Sequence, residues 1–397
     1  MSMMTLADFE LLRSDELRRI IDENIERDPL QVALDRHIPH ASLVATQIKY
    51  LQRARHKLPQ MYAARCIIPS LAFEQSSSEE CAWRKPIEGG SVLDLTCGLG
   101  IDTLSLAKRF RRVVAVERNG VLAEIVRYNL SLLGVGNVSV VTASAEEYVA
   151  ECCDHFDWVY IDPDRRSDTG RKLVRVEDCS PDVVALMPRL CEIASRIAVK
   201  LSPLFDCEEA FRVWSPAEVE VVSLGGECKE VNVYTHADRD VVRAVAIGCG
   251  ECSFERAAMQ MQPTAETFKD GDWRYLVMPD VALQKARVAV AAMSPYGSIW
   301  SNNGYLFCRE RPAEGILGRV YAIDSIERYR PKELKRTLRG LGVEISKRDT
   351  SLSVDGARKA LGVRAGGDVH LALTSIESEN WVIRLKSLPL QRDEEKR

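Results

Sequence analysis

The chain has 397 residues, 46% of them hydrophobic, and a formal net charge of −4, enough for about two to four domains with a large buried core. Near-balanced charge excludes a uniformly basic nucleic-acid binder, so any surface for a polyanion is local. No run of about twenty apolar residues occurs, which excludes a membrane-spanning helix, and the twelve cysteines show neither paired spacing nor a secretory leader, which points to reduced, mostly buried thiols in the cytoplasm.

Residues 1–88 read as a helical domain. Leu6, Phe9, Leu11 and Leu12, then Leu17, Ile20, Ile21 and Ile25, recur at helical spacing. Asp28-Pro29 breaks the pattern, which restarts over 30–34, and further helices are expected over 41–50 and 51–64. The segment 47–59, QIKYLQRARHKLP, is basic for a chain of negative charge. Two readings stand: a solvated helix face, or a contact to an RNA backbone. Residues 75–86, with the run SSSEE, read as a polar, mobile linker.

Residues 89–240 carry the chemistry. In SVLDLTCGLGID, residues 91–102, a short apolar strand meets a turn containing Gly98 and Gly100, and a helical period opens at Thr103. Strand, glycine turn and helix in this order form the first βα unit of an α/β, doubly wound sheet. The glycines permit a sharp turn and close approach of a ligand. The second strand, 112–117, ends in Glu117, an acid suited to two ribose hydroxyls. A dinucleotide fold would want a third glycine under a pyrophosphate. Asp102 and Thr103 stand there instead, and an acid at a helix N-terminus repels pyrophosphate. A ligand with a ribose and no phosphate is expected.

Further strands are expected over 138–141, 157–161 and 196–201, with a helix over 181–194. Residues 219–224 and 230–235 flank Gly225-Gly226 and read as a terminal antiparallel hairpin. A strand over 243–248 precedes a lone CxxC at 249–252, which lacks the second pair a zinc site needs, so no metal is expected. After a loop over 263–272, strand, turn and helix over 273–287 and short strands over 304–307 and 320–323 describe a small α+β, ferredoxin-like domain within 241–325. From 326 to 397 the order is helix (331–341), strand (343–347), helix (354–361) and two strands (370–375, 381–386), then a charged, disordered tail. From Arg328 to Arg364 eleven Lys or Arg face four Asp or Glu, a local net charge of +7.

Asp94-x-Thr96-x-Gly98-x-Gly100, then Glu117, then Asp162-Pro163 resembles the class I S-adenosylmethionine (SAM)-dependent methyltransferases over residues 90–236. DLTCGLGIDT is most similar to enzymes that methylate nucleobases in RNA. EISKRD and AGGDVH, at 344–349 and 365–370, resemble the THUMP-like domain that closes a group of bacterial methyltransferases, with an ordinary α+β cap as the plain reading. In that group similar QI…A…K-P segments precede the catalytic domain.

The resemblance implies a Rossmann-like sheet holding SAM. Asp94 would meet the ammonium, directly or through water, and the turn with Thr96, Gly98, Gly100 and Asp102 would pack on the methionine part. Glu117 would accept from the ribose, while Arg118 and Asn119 flank the adenine. Ser144 stands where the family has Asp and would accept from the adenine amino group, beside the Ala145 N–H. Asp162 and Pro163 match the motif that aligns an attacking amino group. The aromatic that usually follows is absent. Arg165 and Arg166 stand near its place, either holding a phosphate or carboxylate or forming surface ion pairs. Lys200 and Lys229 are further substrate candidates, or simply solvated charges. Cys97 reads as packing, and no cysteine pair suits C5 methylation of a pyrimidine. The expected function is SAM-dependent methyl transfer to a nucleobase nitrogen in structured RNA (rRNA or tRNA). The alternatives are a small-molecule or protein methyltransferase, or a non-catalytic SAM- or RNA-binding module. The base, the RNA and the oligomeric state are not legible.

Overall fold

The computed structural model describes residues 4–165 and 176–387. Its contacts divide into two units, Met1–Ala217 with Val231–Asp238, and Glu218–Glu230 with Arg239–Arg397.

The first unit opens with seven helices: α1 (Leu6–Leu12), α2 (Asp15–Asn24), α3 (Pro29–Leu34), α4 (Ala41–Lys57), α5 (Pro59–Ala63), α6 (Ser70–Gln75) and α7 (Glu79–Arg84). Their starts follow the local chemistry. Thr5 and Asp8 form a reciprocal capping box, Ser14 caps α2, and Asp28 caps α3 with Pro29 in its first turn. The two helices expected over 41–64 divide elsewhere: α4 runs unbroken to Lys57 and stops at Leu58, ahead of Pro59. The segment expected to be a linker contains α7 and is not a linker. Buried Phe9, Leu12, Val44, Ile48 and Leu51 share one core with Leu99, Ile101 and Ile125. The helical region therefore packs on the glycine turn and the helices beside it, with no separation at residue 88.

The sheet follows as β1 (Gly89–Asp94), α8 (Ile101–Ala107), β2 (Phe110–Glu117), α9 (Gly120–Leu132), β3 (Val138–Thr142), α10 (Ala145–Glu151) and β4 (Phe156–Ile161). Two short strands, β5 (Asp164–Arg165) and β6 (Cys179–Ser180), pair with each other ahead of α11 (Val183–Ile193), β7 (Ala194–Leu201) and α12 (Cys207–Trp214). The chain then passes through β8 (Ala217–Leu224), which belongs almost wholly to the second unit, and returns as β9 (Glu227–Thr235). Strand order within the first unit is β9-β7-β4-β1-β2-β3. All neighbours pair in parallel except β9, which runs antiparallel to β7 as the sequence pattern predicts. β1 is flanked by β2 on one side and β4 on the other, with Asp94 level with Ala115 and Tyr160. The carboxyl ends of these strands open one crevice where strand order reverses, the place where such sheets hold ligands.

In the second unit β10 (Val241–Ala246) pairs in parallel with β8 and antiparallel with β11 (Gly250–Glu255). Then come β12 (Tyr275–Pro279), α13 (Val281–Lys285), α14 (Ala289–Met293), β13 (Ser298–Ile299), β14 (Leu306–Cys308), β15 (Gly318–Arg328), α15 (Pro331–Leu338), β16 (Gly342–Arg348), α16 (Val354–Leu361), β17 (Arg364–Ala365), β18 (Val369–Ile376) and β19 (Glu379–Ser387). They build one eight-stranded sheet of order β13-β14-β12-β15-β19-β18-β16-β17. The boundary expected between 325 and 326 falls inside β15, whose two halves both pair with β19. Phe268, Trp273 and Phe307 share a core with Ala372, Ile376 and Trp381. One sheet and one core thus join what the change in composition at 326 separates. No helix among the described residues is long and apolar enough to cross a membrane.

Candidate active site

The crevice above β1, β2 and β4 holds a cavity of about 400 Å3, within the range that buries a nucleoside-sized ligand. Its floor is the turn after β1. Gly98 and Gly100 both have positive φ, 55° and 83°, a conformation that glycine adopts without steric cost. The turn is tied between neighbouring strands: Leu95 N–H donates to the Tyr160 carbonyl and Cys97 N–H to the Val116 carbonyl, each at 3.0 Å.

Glu117 ends β2 and lines the cavity. Its Oε2 accepts from the Gly98 N–H at 2.9 Å and its Oε1 from the Asn119 N–H at 2.8 Å. Each oxygen keeps a lone pair for a ribose hydroxyl. Burial raises the carboxyl's pKa above its usual value, against these two amide hydrogen bonds. Arg118 and Asn119 line the same side, and Arg118 reaches across to Asp164 at 4.0 Å. Leu95, Leu99, Val121 and Leu122 supply apolar wall.

Asp94 lies elsewhere than expected. It is fully buried under the turn, where Oδ1 accepts from Thr96 N–H at 3.1 Å and Oδ2 from the Thr103 hydroxyl at 2.6 Å. Burial pushes its pKa up to about 7. It does not line the cavity, so its part is to hold the turn in shape. Thr96 reaches the other way: its Oγ1 accepts from the Asp162 N–H at 2.6 Å. Ser144 and Ala145 line the cavity as expected, but the Ser144 side chain accepts from Glu147 N–H at 3.1 Å and donates to the Glu147 carboxylate, capping α10. Helix capping therefore competes for the lone pair that adenine would want.

Asp162 follows β4 at the cavity rim, its side chain 34% exposed, with Pro163 buried behind it. Lys200, at the end of β7, turns inward and pairs with Asp162 Oδ2. Lys200 Nζ also donates to Ser77 Oγ at 2.9 Å and stands 3.6 Å from Asp102 Oδ2. Ser77 in turn donates to Asp102 Oδ2 at 2.9 Å, and Lys85 pairs with Asp102 Oδ1 at 2.6 Å, both side chains nearly buried. Burial pushes the Asp102 carboxyl up, and Lys85 and Lys200 more than reverse it, holding it below its usual range.

Among the substrate candidates, Lys200 is thus a buried partner of carboxylates. Lys229 lies in the second unit, paired with Glu227 at 2.6 Å. Arg165 ends β5, opposite Cys179 of β6, and Arg166 lies outside the described residues. The basic segment of α4 is ion-paired. Arg53 meets Glu74, Arg55 meets Glu26, and Lys57 Nζ donates to the Phe73 carbonyl at 2.7 Å. These pairs fit the solvated-face reading. Sequence reasoning missed Ser77 and Lys85, which lie in the stretch taken for a linker. Polar residues among glycine-poor, Trp-containing sequence were the only signal.

The region over residues 318–387 matches a family described as THUMP domain-like, and residues 81–159 match the tRNA (Uracil-5-)-methyltransferase family. The 23S rRNA (uracil(1939)-C(5))-methyltransferase RlmD of Vibrio parahaemolyticus is 30% identical over 171 residues, 42% of this chain and 38% of the relative. An uncharacterized S-adenosylmethionine-dependent methyltransferase of Mycobacterium tuberculosis is 27% identical over 190 residues, 46% of this chain and 51% of the relative. The chain thus spans between 38% and 51% of the length of these two relatives. A solved protein of Porphyromonas gingivalis W83, itself provisionally assigned as a methyltransferase, is 26% identical with a TM-score of 0.80, covering 94% of this chain and 97% of its own. By fold and by these matches the chain is similar to SAM-dependent methyltransferases. It carries a THUMP-like domain at its C-terminal end.

Proposed function

We propose that the protein transfers the methyl group of SAM to a nucleobase nitrogen in structured RNA, an rRNA or tRNA, in the cytoplasm. The observation that carries the reading is the Asp162 carboxylate at the cavity rim, with Oδ2 held by Lys200 and Oδ1 accepting no hydrogen bond among the described residues. A free, oriented carboxylate oxygen suits an amino or ring N–H whose lone pair must point at an incoming methyl.

SAM would supply an electrophilic methyl on a sulfonium. The chain's own part is to bind and orient. Glu117 would hold the ribose hydroxyls, the turn at Gly98 would lie under the methionine part, and Asp162 would take the hydrogen bond, and then the proton, of the acceptor nitrogen. Pro163 fixes the backbone beside it.

The relatives named for uracil C5 methylation favour an RNA substrate. The family match to them ends at residue 159, before Asp162, so it speaks for the cofactor half. Methylation at a pyrimidine carbon calls for a nucleophilic thiolate to activate the ring. Among the described residues Cys97 is the only cysteine lining the cavity, and burial raises its pKa well above the usual thiol value. That favours nitrogen over carbon. The THUMP-like region, with its excess of Lys and Arg, would grip the RNA backbone.

The test is nucleoside mass spectrometry of rRNA and tRNA from cells with and without the protein, followed by transfer from labelled SAM to the affected RNA. Loss of one N-methylated base is expected. Loss of a 5-methyluridine would overturn the choice of atom, and unchanged RNA with labelled protein or metabolite would overturn the substrate.

A further inference from the structure

Resting on the methyl-transfer reading above, we propose that Lys200 is a positioning residue that fixes Asp162 in its acceptor role, and that Ser77 of the helical region completes its seat. Three observations converge. Lys200 Nζ is shared by Asp162 Oδ2, Ser77 Oγ and Asp102 Oδ2, oxygens from three separate segments. The Asp162 N–H is fastened to Thr96 Oγ1, so the residue is held at its backbone and at one carboxylate oxygen. Oδ1 is left as the oxygen that can face an acceptor.

The same geometry explains why a lysine can stand beside a site meant for a cation. A bare ammonium near a sulfonium would repel it. Here, among the described residues, Lys200 and Lys85 are matched by Asp102 and Asp162. Ser77 ties Lys200 to Asp102, and residues 69–72 and 75–77 line the cavity. The helical region is therefore a wall of the site.

Among the described residues the groups that face Asp162 are Lys200 from β7, Asp102 from α8 and Lys85 from the segment before β1, with Asp94 below and Asp164, paired to Arg118, beyond. Burial and Asp102 disfavour the ionised carboxylate, while Lys200 and Lys85 favour it. Removing Lys200 leaves the disfavouring influences and only the more distant lysine, so protonation of Asp162 should occur at higher pH.

The experiment compares full-length wild type, Lys200→Met, Lys200→Arg and Ser77→Ala by single-turnover methyl transfer across pH, with SAM affinity by calorimetry. Lys200→Met should lower the rate at pH 7 by at least tenfold and move the acid limb upward by about one pH unit. The rate should recover at high pH, with SAM affinity there within threefold of wild type. Lys200→Arg should restore most of the profile, and Ser77→Ala should move it part of the way. A rate lowered equally at every pH, or a raised RNA KM with an unmoved acid limb, would overturn the proposal. Carbon-13 titration of the Asp162 carboxyl in wild type and Lys200→Met gives a readout independent of any RNA. An unshifted titration refutes the positioning role even if RNA is methylated, and an upward shift supports it even if the RNA assignment fails.

Discussion

Glu117 and Gly98 are joined by a 2.9 Å hydrogen bond from the glycine amide to the carboxylate that closes β2. The turn under the cavity and the acid beside it are therefore one structure. Glu117→Ala should weaken SAM binding by roughly 1–3 kcal/mol, because it removes charged hydrogen bonds to two hydroxyls and loosens the turn. Calorimetry decides this; wild-type protein that does not bind SAM, or an Ala variant that binds as well, ends the assignment.

Asp162→Ala should lower single-turnover methyl transfer by about a hundredfold or more, the scale for losing one oriented polar contact to a transition state. SAM affinity should stay close to wild type, since the ribose contacts lie on β2. A wild-type rate would place the acceptor elsewhere in the cavity.

The Asp94 carboxyl keeps its proton up to about pH 7 in the folded protein because it is buried, whereas an unfolded Asp titrates near 4. Between those values the unfolded state binds fewer protons than the folded one, so this group makes stability fall as pH rises. Asp94→Asn removes that dependence. Its stability relative to wild type should climb by on the order of 3–4 kcal/mol between pH 4 and 8. Urea unfolding at several pH values reads the slope directly, and a flat difference would mean the carboxyl is already ionised when folded.

Lys85 and Asp102 form a buried pair, and such pairs cost most when only one partner is removed. Lys85→Ala should destabilise the protein by about 3–5 kcal/mol, and Lys85→Met with Asp102→Leu should lose less than the single change. Denaturant midpoints of the two variants provide the comparison. Equal losses would show that Lys200 alone neutralises Asp102.

RNA binding by the C-terminal region is best tested without truncation, since a cut at 325 would pass through β15 and open the aromatic core. Lys332, Arg336 and Arg339 are exposed on or just after α15. Replacing all three by Ala should weaken RNA binding and reduce its logarithmic salt slope by about two to three, while SAM binding is unchanged. An unaltered slope would assign the region another purpose.

The site's strands were readable because each is a short apolar run, and the glycine turn and Glu117 were readable because their spacing follows from one helix and one strand. What the sequence concealed depends on distance along the chain. Lys200 and Ser77 meet across 123 positions, and no local pattern marks either. Asp94 and Glu117 look alike as acids ending apolar strands, yet only the fold decides that the first is sealed beneath the turn and the second faces the cavity. Ser144 lines the cavity, but its side chain caps α10 because Glu147 stands three residues on. At 325 the composition changes while the strand continues, because a basic surface does not require a new core.

The seat of Lys200 also ties the finished site to the completed fold. Domains generally fold as units, and β7 belongs to the same unit as Ser77, Lys85 and Asp102. A nascent chain that ends before residue 200 lacks the cation that pairs with Asp162. Ribosome-stalled chains ending before and after β7 should therefore differ in how they hold a cofactor, although every cofactor-lining residue is already present in both.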